Sequence, residues 1–122
     1  MKRKILIFFE MFLLTLILLA IKSNAGYSSN DPEVKSGETI TISIVSNENL
    51  QNYDLQLVSY NGLTYKGCSS SSESAAVNSG TGKIAYATLG AGTKNLGTYT
   101  FVAPEVTEKT TYKVSFKIND VT

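Results

Sequence analysis

Asn52, Asp54 and Gln56 stand two residues apart, alternating with Tyr53, Leu55 and Leu57. On a strand, residues two apart share a face at intervals of roughly 7 Å. The polar row can therefore present two amides and a carboxylate to a partner. The competing reading is simply the solvated side of a strand, since such a face is polar whether or not it binds anything. Covalent chemistry has less to work with. The chain contains no His and a single Cys, so a Ser–His or Cys–His pair, a Cys/His zinc site and an intrachain disulfide are all excluded. Cys68 reads as a small packed residue or an incidental thiol. Paired carboxylates could hydrolyse a glycosidic bond, but Glu105 and Glu108 flank a turn and read as solvated. No enzyme is expected, and no cofactor.

Calcium needs several converging oxygens. The dense oxygen-bearing segments are Asn47-Glu48-Asn49 and Asn119-Asp120, and both read as turns, so no metal is expected. Glycan binding on a flat sheet rests on exposed rings that stack on pyranoses. Trp is absent. Tyr53, Tyr99 and Tyr112 fall on the apolar phase of their strands, while Tyr65 shares phase with Leu63 and Tyr86 with Ile84. Tyr27 and Tyr60 are left as free rings, too few for a stacking strip.

The elements that must position these residues read as short strands. Ile40, Ile42 and Ile44 alternate with polar residues, as do Tyr53, Leu55 and Leu57, and again Tyr112, Val114, Phe116 and Ile118. Such alternation marks strands with one buried and one wet face. Shorter candidates are 63–67, 83–89 and 96–103. Turn residues separate them at Ser36-Gly37, Asn61-Gly62, Ser79-Gly80-Thr81-Gly82, Gly90-Ala91-Gly92 and Pro104. The run Cys68–Ser74 reads as a polar loop or weak edge. No segment after the first 25 residues repeats helical spacing, and the spacing of strands and turns predicts an antiparallel sandwich.

The first 25 residues differ from the rest. Lys2, Arg3 and Lys4 precede an apolar run from Ile5 to Ile21, then Ser23-Asn24-Ala25 puts small residues at −3 and −1 of a cleavage point. This is the layout of a helical secretory signal peptide. The alternative, an uncleaved anchor, has to span the bilayer with 17 residues that include Glu10, where about 20 are usual. Membrane contact is thus expected only through the leader. Beyond it the chain holds seven Lys and nine Asp or Glu, so no basic surface for nucleic acid is expected. The expected organisation is a signal peptide over 1–25, a flexible segment over 26–33 and a sandwich over 34–122.

Several segments, in order, resemble the cohesin-type domains, a branch of the cohesin and carbohydrate-binding-module sandwiches. Gly37-Glu38-Thr39-Ile40-Thr41-Ile42-Ser43-Ile44 is similar to their early G-D-T-V-x-V-x-V strand. Leu50–Leu57, with Ser59-Tyr60-Asn61 and Leu63, is similar to the aromatic-x-L-x-L-x-Y-D-P-x-x-L signature. Gly82-Lys83-Ile84-Ala85-Tyr86-Ala87 looks like G-K-I-x-F-A. Leu96–Phe101 and Thr110–Val114 look like the closing segments.

The resemblance implies an immunoglobulin-like or jelly-roll-like sandwich, secreted by a bacterium and noncatalytic. It would recruit a dockerin-like extracellular protein in polysaccharide degradation, with Asn52 and Asp54 on the positions that hydrogen-bond the dockerin. Two departures stand out. The family's Y-D-P is Tyr60-Asn61-Gly62 here, and the family continues past the equivalent of Ile118 into a last strand. The sandwich is therefore expected to be incomplete at its C-terminus. The alternatives are an immunoglobulin-like spacer or adhesin domain at the cell surface, or a carbohydrate-binding module with a polysaccharide partner. Export with cleavage after Ala25 predicts that the secreted protein begins at Gly26 on N-terminal sequencing; Met1 retained in a membrane fraction contradicts it.

Overall fold

The computed structural model describes residues 4–5, 26–30 and 32–122. The helix and cleavage point expected of the leader lie outside the described residues. Among the described residues there are ten strands: β1 (Lys4–Ile5), β2 (Tyr27–Ser29), β3 (Val34–Lys35), β4 (Thr39–Leu50), β5 (Asn52–Ser59), β6 (Thr64–Ser69), β7 (Ala75–Asn78), β8 (Lys83–Ala87), β9 (Thr93–Val102) and β10 (Ser115–Asp120). One four-stranded sheet, hereafter the inner-strand sheet, has the order β2-β4-β9-β6. The other, the outer sheet, has the order β10-β5-β8-β7, and β1 pairs separately with β3. Every pairing is antiparallel. Among the described residues there is no helix.

The two four-stranded sheets pack face to face because period-two alternation gives each an apolar side. Ile40, Ile42 and Ile44 of β4 meet Tyr53 and Leu55 of β5, Ile84 of β8 and Tyr99 and Phe101 of β9 in one core, each of them at most 1 % exposed. The sheets approach closely at Gly97, where a Cβ would lie 2.4 Å from the Ile84 Cδ1 atom. The missing side chain makes room for Ile84 from the opposite sheet.

A bulge precedes that glycine. Ile44 faces Gly97 and Val45 faces Asn95, leaving Leu96 as the extra residue on β9. Bulges let successive residues depart from strict alternation, and both Leu96 and Gly97 are buried. The Leu96 carbonyl is not stranded, because the buried Tyr53 hydroxyl donates to it across the core at 2.8 Å. Tyr99 makes the reciprocal connection: its hydroxyl donates to the Gly82 carbonyl at 2.8 Å. Its ring packs on Phe116 of β10 with centroids 4.8 Å apart.

Several sequence expectations change. Residues 26–33, expected as a flexible segment, include β2, which pairs with Ile44–Ser46 of β4. Tyr27, expected as a free ring, is 2 % exposed. The Asn30 side chain continues this edge: its amide donates to the Thr41 carbonyl at 2.8 Å and accepts from the Ser43 N–H at 2.7 Å. It thereby does for β4 what another peptide group would do. The last strand begins at Ser115 rather than Tyr112, with a register shift at Ser115/Phe116. Val114 is still fully buried, but Tyr112 is only half-buried and lies over Gly62. Tyr65 is half-buried as well, in a tilted ring cluster with Tyr60 and Phe101. Of Cys68–Ser74, read as a polar loop or weak edge, Cys68 and Ser69 end the edge strand β6, and β7 follows the turn.

Tyr27 and Tyr53 make a controlled pair. The Tyr27 hydroxyl is buried with no hydrogen-bond partner, whereas the Tyr53 hydroxyl holds the bulge carbonyl. An unsatisfied buried polar group costs about 1–3 kcal/mol, and a made hydrogen bond contributes about 1 kcal/mol. Tyr27→Phe is expected to raise the urea-unfolding free energy by roughly 1 kcal/mol and Tyr53→Phe to lower it by roughly as much. Equal losses for the two variants would show that the Tyr27 hydroxyl is satisfied after all.

Candidate functional site

The strand carrying Asn52, Asp54 and Gln56 is an interior strand of the outer sheet, between β10 and β8. Tyr53, Leu55 and Leu57 point into the core at 1 %, 0 % and 7 % exposure. The three polar residues therefore lie on the opposite face, with Asn52 exposed and Asp54 and Gln56 partly buried among neighbours. Strand register decides what stands beside them. Gln56 is opposite Lys117 of β10 and Lys83 of β8, and Asp54 is opposite Asn119 and Ala85. Asn52 is opposite Ala87.

These neighbours shape the surface. Asp54, Gln56, Lys83, Lys117 and Asn119 line a shallow depression of about 400 Å³. Ala85 and Ala87 of β8 stand opposite Asp54 and Asn52, and Ala76 of β7 stands opposite Ala85. Gln56 is held in place, its amide donating to the Leu57 carbonyl at 2.9 Å and to the Thr81 carbonyl at 2.7 Å. These bonds use the side-chain nitrogen, and the side-chain oxygen remains as an acceptor. The side chains of Asp54, Lys83 and Lys117 engage in no hydrogen bond or ion pair among the described residues. Charges of both signs thus stand together without neutralising one another.

The structure brings Asp54 and Gln56 into one depression and leaves Asn52 at its margin, next to the exposed Val121, whose N–H donates to the Asn52 carbonyl. Nothing in the sequence marks Lys83, Lys117 or Asn119 as a binding residue. Lys117 reads in sequence as a solubilising or edge-protecting charge and Asn119 as a turn oxygen. Their parity with Phe116 and Ile118 places them outward, but only the register places them beside β5.

Other candidates do not assemble. Asn47, Glu48 and Asn49 are the exposed, irregular part of β4, and the Asn47 side chain accepts from the Gly26 N–H at 2.9 Å. Among the described residues no three Cys, Asp or Glu side chains gather as a metal site. Tyr60 is 37 % exposed beside a separate depression of about 390 Å³ at the β5–β6 turn, and its ring also leans on Phe101. No helix among the described residues is long and apolar enough to cross a membrane. Compared with known proteins, the chain matches no family model, no curated protein and no solved structure.

Adjacent positions of β5 should respond oppositely to truncation. Asp54→Ala removes an outward, unpaired carboxylate and is expected to change the unfolding free energy by no more than about 0.5 kcal/mol. Leu55→Ala opens a cavity in the core and is expected to cost about 2–5 kcal/mol. Comparable losses in urea melts would mean that Asp54 is not on an open face.

Proposed function

We propose that this chain is a secreted, noncatalytic binding or assembly module whose partner docks on the outer sheet at Asn52, Asp54 and Gln56. The observation that carries the reading is the group of Asp54, Lys83 and Lys117, without ion pairs among the described residues, around one depression of the sheet face. Charges that make no use of one another are available to a partner. The resemblance to cohesins supplies the finer reading: an immunoglobulin-like or jelly-roll-like sandwich, with Asn52 and Asp54 as the dockerin-contacting pair. A dockerin-bearing extracellular protein is then the partner, in the setting of polysaccharide degradation.

A protein suits this face better than a neutral glycan. The outward positions of β5, β8 and β10 carry no aromatic ring, since Tyr53 and Tyr86 are buried and stack on each other with centroids 5.2 Å apart. A pyranose would find no ring to lie on. Small amide and carboxylate side chains lose little rotamer freedom on binding, and suit hydrogen bonds to a polypeptide.

The test uses the secreted protein to recover partners from the producing cell's own medium, followed by titration of what is recovered. Charge-assisted hydrogen bonds are worth about 1.5–3 kcal/mol, so Asn52→Ala/Asp54→Ala is expected to weaken binding about 10- to 150-fold. Equal affinity for the wild type and the double variant removes this face from consideration.

A further inference from the structure

The row through Gln56 has a charge pattern of its own. Lys117 and Lys83 stand opposite Gln56 on its two sides, so their backbones are two strand spacings apart, about 10 Å. Neither lysine is ion-paired among the described residues. Asp54, the one carboxylate lining the depression, lies one outward position along β5 and is opposite Asn119 and Ala85 rather than a lysine. The depression is therefore positive by one charge, on a chain that carries two more acidic than basic residues beyond position 25. It is a local inversion of the domain's charge.

Resting on the docking face proposed above, we infer that its partner is an acidic polypeptide segment that sets carboxylates against Lys83 and Lys117. The Gln56 side-chain oxygen between them accepts a hydrogen bond from the segment, because the amide nitrogen is already committed to the Leu57 and Thr81 carbonyls. Asp54 takes a donor at the next position. A segment with the opposite charge order meets two lysines with cations and is rejected, so the row selects partners as well as attracting them. β5 is paired on both sides, which rules out strand addition to it. The segment must be read through its side chains. An acidic glycan would satisfy the lysines but would find no ring for its sugar faces.

The inference is tested by NMR titration of the secreted, 15N-labelled protein with three helical peptides of one scaffold. They carry two Glu, two Gln or two Lys residues two turns apart, roughly 11 Å, and oligogalacturonate is a fourth ligand. The Glu peptide is expected to shift the amides of Gln56, Lys83 and Lys117. It should bind roughly ten-fold more tightly than the Gln peptide, an advantage that added salt screens away. Lys83→Glu/Lys117→Glu should transfer the preference to the Lys peptide, and a retained amide spectrum certifies its fold. Equal binding of the Glu and Gln peptides on this face overturns the acidic partner while leaving the docking face standing. Tighter binding of oligogalacturonate than of the Glu peptide at the same row overturns the polypeptide assignment. The acidic segment is overturned as well if no peptide moves these amides while a recovered partner remains sensitive to Asn52→Ala/Asp54→Ala. If that partner is insensitive too, the docking face falls with the inference.

Discussion

Two tyrosine hydroxyls tie the sheets together through the middle of the core. Tyr53 reaches from the outer sheet to the Leu96 carbonyl, and Tyr99 reaches back to the Gly82 carbonyl. Each bond ends on an irregular point of the backbone. Leu96 is the extra residue of the β9 bulge, and Gly82 closes the turn into β8 with φ +74°. A buried carbonyl left without a donor is costly, so the bulge is sustained by the opposite sheet, while the Gly82 carbonyl, which also accepts from the Leu57 N–H, is held from both sheets. Apolar packing alone would hold the sheets together but would tolerate sliding. The directional bonds specify which carbonyl each ring meets.

That specification reaches the surface. Once Tyr53 points at Leu96, the parity of β5 sends Asn52, Asp54 and Gln56 outward, because a one-residue slip would exchange the two faces. The Gly82 turn positions Lys83, the first residue of β8, beside Gln56. The same turn receives the Gln56 amide at Thr81 and the Leu57 N–H at Gly82. Packing of Phe116 on Tyr99 fixes β10, and with it Lys117, on the other side of Gln56. The arrangement of charges on the wet face is thus an outcome of how aromatic residues are satisfied on the dry one.

The sequence made the long, alternating strands plain and hid the short ones. Ile40–Ile44, Tyr53–Leu57 and Ile84–Tyr86 repeat with a period of two, which only a half-buried strand requires. β2 offers a single large apolar residue, Tyr27, over three positions, so periodicity has nothing to count. β7 is Ala-Ala-Val-Asn and is recruited by pairing with β8. The apparent alternation at Tyr112 overran the true strand because Val114 is buried just before the β10 register shift. The site divides in the same way. Asp54 and Gln56 share a face by parity alone, whereas Lys83, Lys117 and Asn119 come from strands 27 to 65 residues away in the chain and needed the register.

The cross-sheet tyrosines can be tested by following the 13Cζ resonances of the tyrosine rings through an alkaline titration alongside circular dichroism. Burial, with the neighbouring Tyr86 adding to it, raises the Tyr53 phenol above its ordinary value near 10. Burial again leads at Tyr99, with Cys68, Tyr65 and Tyr53 contributing. Tyr27 is pushed up to about 12, chiefly by burial and then by Asp120 and Glu48. An unfolded chain releases these protons near pH 10 while the folded one keeps them. Their contribution to stability is therefore complete below that pH and is lost as the pH rises toward the folded values. The account predicts that Tyr53 and Tyr99 ionise only together with the loss of the strand signal, in one cooperative step above pH ~10. Ionisation of either ring near pH ~10 with the fold intact would contradict it.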